Sequence, residues 1–206
     1  MKIIITGKMA TGKTALAKHL VTYHHFKKIG LADPIKEIEA DIEILPPTEI
    51  VNKHLEILDP MQKAMFCKII EEAKKIPRED PKPRKRLQFI GTDGARKRIA
   101  DDIWIQVAAH RASLYENVCI DDVRFLNEFD YFKAHNWTSV AVITDLDIQW
   151  RRITSLYGNI DPSVLRHASE IEVEEIIRHR KCDFLIDTTD TTDAEAGIIL
   201  MEMLKL

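Results

Sequence analysis

Apolar β-branched residues cluster at Lys2-Ile3-Ile4-Ile5-Thr6 and return at Lys28 to Leu31, Val118 to Asp122, Ser139 to Ile143 and Asp183 to Ile186. Sequence of helical period or length separates each run from the next, beginning with Ala15-Leu16-Ala17-Lys18-His19-Leu20. This alternation predicts an α/β domain with a five-stranded parallel sheet and helices on both faces. A long segment, Asp33 to Tyr115, stands between the second and third strands and is mostly helical by pattern. Ile35, Ile38, Ile42 and Leu45 fall at helical spacing, as do Ile99, Ile103, Val107 and Leu114. Asp33-Pro34, Asp59-Pro60 and Asp161-Pro162 each read as an N-cap followed by proline in the first turn. Ser169-x-x-Glu172 and Thr192-x-x-Glu195 read as capping boxes. The regular pattern breaks from Lys74 to Arg86, where Pro77, Pro81 and Pro83 lie among seven cations. That stretch predicts a loop, whose charges either meet substrate phosphate or, the better fit, belong to a solvated mobile connector.

Composition narrows the class. With 206 residues, 45% of them hydrophobic, the chain can bury a real core. A net charge of −3 supplies no global basic field for gathering nucleic acid, so a nucleotide would have to be held locally. Cys67, Cys119 and Cys182 are odd in number and widely spaced, which argues against a disulfide framework or a zinc site and fits a reducing, cytoplasmic setting. The first apolar run stops at Thr6, too short for a signal peptide, and no stretch approaches bilayer length. The expectation is a soluble protein, monomer or homodimer, with small-molecule partners and neither nucleic acid nor membrane.

The chemistry starts at the end of the first strand, in Gly7-Lys8-Met9-Ala10-Thr11-Gly12-Lys13-Thr14. The pattern G-x-x-x-x-G-K-[ST] between a strand and a helix is a phosphate-binding P-loop. Its glycines let the backbone come close to a polyphosphate, and successive N–H groups and the following helix N-terminus point positive dipole at it. Lys13 would reach the β- and γ-phosphates, and Thr14 would ligate Mg²⁺. Such a loop leaves GTPases, motor ATPases and small-molecule kinases open. Val118-Cys119-Ile120-Asp121-Asp122 is a buried-strand pattern ending in carboxylates, where a P-loop fold puts the acid that holds Mg²⁺ through water. Asp122 is the first candidate and Asp121 the second, a turn-capping role being the alternative. Asn-Lys-x-Asp and a post-strand Asp-x-x-Gly are both missing, which argues against a GTPase.

From Asp122-Val123-Arg124-Phe125-Leu126-Asn127-Glu128 onward the chain resembles the bacteriophage-type deoxynucleoside monophosphate kinases. The resemblance also takes in the P-loop, Leu31-Ala32-Asp33-Pro34-Ile35-Lys36-Glu37, Leu87 to Arg96 with Trp104, His167-Ala168-Ser169-Glu170 and the strand from Asp183 to Asp187. It implies a three-layer P-loop NTPase fold, ATP and Mg²⁺ as phosphoryl donor, and a deoxynucleoside 5′-monophosphate as acceptor. The chain would then be one kinase domain, with its core in 1–32, 116–146 and 181–206. A helical acceptor-binding region would occupy 33–115 and a lid about 147–170.

A monophosphate acceptor is already ionised, so cations and alignment matter more than a general base. Arg96, just beyond the Gly91-Thr92 turn at the start of a predicted helix, could grip the acceptor phosphate as a bidentate fork or form a salt bridge. Arg124 would lie at the carboxyl edge of the sheet, where α/β folds bind ligands, or pair with Glu128, itself an acceptor-site candidate. By analogy Arg151 and Arg152 open the lid helix and would stabilise charge on the transferring phosphoryl group, or be exposed helix charges. His167 and Glu170 would hold the lid's far end, or belong to a helix cap through Ser169. Asp33 either contacts the acceptor sugar or base or caps the helix at Pro34. Lys36 and Gln88 are further acceptor candidates; Trp104 would stack a base or, more in keeping with its apolar stripe, pack in the core. Two rivals stand: a dephospho-coenzyme A kinase, in which Asp33 would be a base for a sugar hydroxyl, and a regulatory ATP-binding module without phosphoryl transfer.

Overall fold

A computed structural model describes residues 1–79, 83–158, 161, 168–179 and 182–205 of the chain. They form two compact units, one from Met1–Ile29 and Tyr115–Leu206, the other from Gly30–Leu114.

In the first unit β1 (Lys2–Gly7), β2 (Lys27–Lys28), β3 (Val118–Ile120), β4 (Thr138–Ile143) and β5 (Phe184–Asp187) form one parallel sheet in the order β2-β3-β1-β4-β5. The uninterrupted apolar run Ile3-Ile4-Ile5, fully buried, suits a central strand covered on both faces. Ile3 and Ile5 pack with Leu16 and Leu20 of α1 (Lys13–His24) and with Leu200 and Leu204 of α10 (Asp193–Leu204). Helix α7 (Leu126–Ala134) and helix α9 (Ala168–His179) pack together, and α9 packs on β1. Helix α8 (Leu146–Tyr157) follows β4, with Asp145 capping it by accepting from Asp147 N at 2.8 Å. The architecture is three-layer α/β, and β1 delivers Gly7 to the carboxyl end of the sheet beside Val142 of β4.

The second unit is helical: α2 (Asp33–Asp41), α3 (Pro47–His54), α4 (Pro60–Lys74), α5 (Arg84–Gln88), a π-helical segment (Phe89–Arg96) and α6 (Ile103–Ser113). Ile38, Ile42, Ile50, Phe66, Ile69, Ile70, Ile90 and Trp104 make its core. Trp104 meets Phe66 edge to face at 6.0 Å and donates its indole N–H to Gly91 O at 2.8 Å. Gly94 permits the π-helical segment to lie against α4, since a Cβ there would stand 2.5 Å from Ile69 Cγ2.

Several local expectations give way to tertiary structure. The second strand is two residues long, Lys27–Lys28, rather than Lys28 to Leu31. Asp59 caps α4 in a capping box with Gln62, and Thr192 caps α10 with Glu195. Asp33, by contrast, lies inside the first turn of α2 and turns its carboxylate back to accept from Gly30 N at 2.7 Å. Ser169 is buried within α9, and Glu172 accepts from Leu126 N at 2.9 Å instead of closing a box. The Gly91-Thr92 turn is absent because both residues belong to the π-helical segment. Within the expected connector, Arg86 is a buried clamp, donating to Ile76 O at 2.7 Å and to Glu43 Oε1 at 2.6 Å. Asn159, Pro162 and His167 lie outside the described residues.

Candidate functional site

Strand β1 must reverse into α1 within five residues, and that turn shapes the phosphate loop. Gly7 has φ +155°, and a Cβ on it would run into the carbonyl oxygen of Val142. Ala10 (φ 59°) and Gly12 (φ 100°) both take the left-handed conformation, which glycine adopts freely and which strains the backbone at Ala10. The hydroxyl of Thr11 donates to Lys8 O at 2.9 Å and ties the loop across itself. From outside the loop, Gln149 Nε2 of α8 donates to Met9 O at 2.7 Å, and Thr188 Oγ1, after β5, donates to Thr11 O at 2.9 Å.

Lys13 opens α1 and folds back over the loop, its ammonium donating to Gly7 O and Lys8 O at 2.6 Å each. The side chain is buried. That burial, with the Arg124 guanidinium next in importance, lowers its pKa to about 8, against opposing pulls from Glu170, Asp121 and Asp122. The buried ammonium and the Arg124 guanidinium concentrate positive charge at the loop.

The carboxylates after β3 divide their work. Asp121 is buried and paired with Lys28 Nζ at 2.8 Å. Asp122 is half-buried, and Thr14 is exposed at the start of α1. Thr14 and Asp122 offer hard oxygen donors of the kind Mg²⁺ takes together with water and substrate phosphate, so the donor set fits that ion. Among the described residues no group of three His, Cys, Asp or Glu side chains could hold a metal by protein ligands alone.

Arg124 meets the side chain of Glu128 through its backbone N–H and not through its guanidinium. Glu128 is buried and its Oε2 accepts from the backbone N–H of Arg124 (2.9 Å) and of Phe125 (3.1 Å), closing the loop into α7. Both bonds fall on Oε2, so that oxygen of the acceptor-site candidate Glu128 is engaged by backbone amides. The Arg124 guanidinium instead donates through Nη1 to Glu170 Oε1 at 2.8 Å, and Glu170 Oε2 accepts from Met9 N of the phosphate loop at 2.9 Å. Lys8 Nζ meets Glu174 Oε2 at 2.7 Å, one turn further along α9.

Arg151 and Arg152 lie in the second turn of α8 rather than opening it. Arg151 is exposed, while Arg152 donates to Thr188 Oγ1 at 2.9 Å and Thr188 O at 2.6 Å. The remaining candidates belong to the helical unit. Asp33 accepts from Gly30 N and from Lys36 Nζ (3.0 Å). Gln88 is exposed and Arg96 half-buried. Trp104 is sealed in the core, with no face to offer a base, which corrects the stacking assignment. Gln149, Thr188 and Glu174 escaped the sequence reading because each serves the loop from far along the chain and carries no local motif.

No family model matches the chain. It is similar to the "Putative deoxynucleotide monophosphate kinase" of Acanthamoeba polyphaga mimivirus, 26% identical over 142 residues. That match covers 63% of this chain and 66% of the relative, just short of two thirds of the relative's length. Solved structures of similar fold include shikimate kinase from Aquifex aeolicus, with a TM-score of 0.55, 14% identity, and 100% of this chain and 96% of that one covered. Dephospho-CoA kinase from Campylobacter jejuni has a TM-score of 0.52 and 18% identity, with coverage of 98% and 96%. The fold of the chain is that of the P-loop kinases.

Proposed function

We propose that the chain transfers the γ-phosphoryl group of ATP to a deoxynucleoside 5′-monophosphate, giving ADP and the deoxynucleoside diphosphate. The observation that carries this reading is the phosphate loop with Lys13 buried and folded back over it, and with Arg124 acting on the same ammonium. The similarity to the mimiviral protein favours a deoxynucleotide as acceptor.

In this mechanism the loop from Gly7 to Thr14 binds the donor's phosphates through its N–H groups, and Lys13 neutralises charge on the transferring group. An oxygen of the acceptor monophosphate attacks the γ-phosphorus, the bond from γ-phosphorus to the β-bridging oxygen breaks, and ADP leaves with that electron pair. The acceptor oxygen is ionised at the outset, so no residue need take a proton. Arg124 draws the acceptor phosphate and γ-phosphate together, and Arg96, Asp33, Lys36 and Gln88 of the helical unit form the acceptor side. Arg151 and Arg152 act from the lid. Thr14 and Asp122 would hold Mg²⁺, which when bound offsets the negative charge of the donor phosphates. Following ³¹P resonances during turnover tests the reading. Equal growth of ADP and deoxynucleoside diphosphate signals is expected, whereas inorganic phosphate as the sole product would contradict it.

A further inference from the structure

The loop that should bind phosphate already holds an anion. Glu170, the third residue of α9, is buried, and each of its carboxylate oxygens meets one element of the candidate site: Oε2 accepts from Met9 N, and Oε1 from Arg124 Nη1. On the same loop Lys13 Nζ donates to Gly7 O and Lys8 O. Two cations brought together beneath a concave row of N–H groups repel one another unless an anion lies between them. Glu170 is that anion.

Resting on the donor-site reading above, we infer that Glu170 is an internal counter-anion that nucleotide phosphate must displace, and that it thereby sets the affinity of the loop for polyphosphates. A triphosphate reaching Met9 N would meet a buried carboxylate on the same donor, and two anions cannot share one N–H in a site of low dielectric. The exchange conserves charge. Arg124 and the Met9 amide pass from carboxylate to phosphate, and the two cations are never left facing each other unscreened. It also couples loading to α9: the bond between Lys8 and Glu174 and the cap that Glu172 places on Leu126 anchor the same helix to the phosphate loop and to α7. Releasing Glu170 therefore loosens the first turn of α9 while its second turn stays attached.

The test is calorimetric titration of the full chain with inorganic triphosphate and with ATP-Mg at fixed salt, comparing wild type, Glu170→Gln, Glu170→Asp and Glu172→Gln. Glu170→Gln keeps the shape and removes the charge, so both ligands should bind about tenfold tighter. Glu170→Asp keeps the charge on a shorter arm that loses Met9 N, and should tighten binding by a smaller factor; it decides the matter should Glu170→Gln fail to fold. Glu172→Gln should bind as wild type does. A merely structural role for Glu170 predicts the opposite sign, since a loosened loop binds more weakly. If wild type binds ATP and both Glu170 variants bind it equally or less tightly, the exchange is overturned and the donor-site reading stands. If no variant binds either ligand, both fall.

Discussion

At the scale of single residues the account turns on Lys13. Among the described residues its ammonium has only the carbonyls of Gly7 and Lys8 as direct hydrogen-bond acceptors, and burial lowers its pKa to about 8. Phosphate binding requires the charged form, so donor affinity should fall as pH rises through about 8, and binding near that pH should take up protons. Calorimetry in buffers of different ionisation enthalpy measures that uptake; its absence would show that Lys13 does not face the phosphates. The folded-state pKa lies below the unfolded value of 10.5, so between about 8 and 10.5 the unfolded chain binds more protons and stability contributed by this residue rises with pH. Lys13→Met should flatten the pH dependence of urea midpoints in that window. The same variant should slow turnover by about two orders of magnitude or more, the usual scale of a lost transition-state contact. Gly7→Ala should abolish donor binding, because its Cβ collides with Val142 O, a backbone atom that cannot step aside. A Gly7→Ala chain that titrates ATP like wild type would refute that geometry.

At the scale of elements, legibility followed locality. The run Ile3-Ile4-Ile5 and the glycine spacing after it were readable because a central buried strand and a phosphate loop each confine their demands to a few consecutive residues. Asp33-Pro34 and Asp59-Pro60 look alike in sequence, yet only Asp59 caps a helix, because Gly30 N–H claims the carboxylate of Asp33. Ser169-x-x-Glu172 looks like a box, but Glu172 is taken by an amide 46 residues away. The hold of Gln149 and Thr188 on the phosphate loop was likewise invisible, being made across 140 and 177 residues. Trp104 shows the same competition, since an aromatic near a site and an aromatic in a core read alike until packing decides. Its indole fills the centre of the helical unit, so Trp104→Ala should destabilise that unit by about 3–5 kcal/mol, read as a lowered denaturation midpoint. A midpoint within error of wild type would show that the ring is not packed.

At the scale of the whole molecule, the P-loop unit is assigned to the donor and the helical unit to the acceptor. The fold is shared by shikimate kinase and dephospho-CoA kinase, so the acceptor is what the fold alone leaves unassigned. A hydroxyl acceptor calls for a base. In Asp33, the residue that would serve as that base, the carboxylate oxygens accept hydrogen bonds from Gly30 N and Lys36 Nζ. The most direct measurement is therefore ADP release from ATP-Mg with dAMP, dGMP, dCMP, dTMP, their ribose counterparts and dephospho-coenzyme A offered in turn, with Lys13→Met beside each. The account predicts release driven by one or more deoxynucleoside monophosphates and abolished in Lys13→Met. Release with dephospho-coenzyme A alone, or release indifferent to every acceptor, would contradict it.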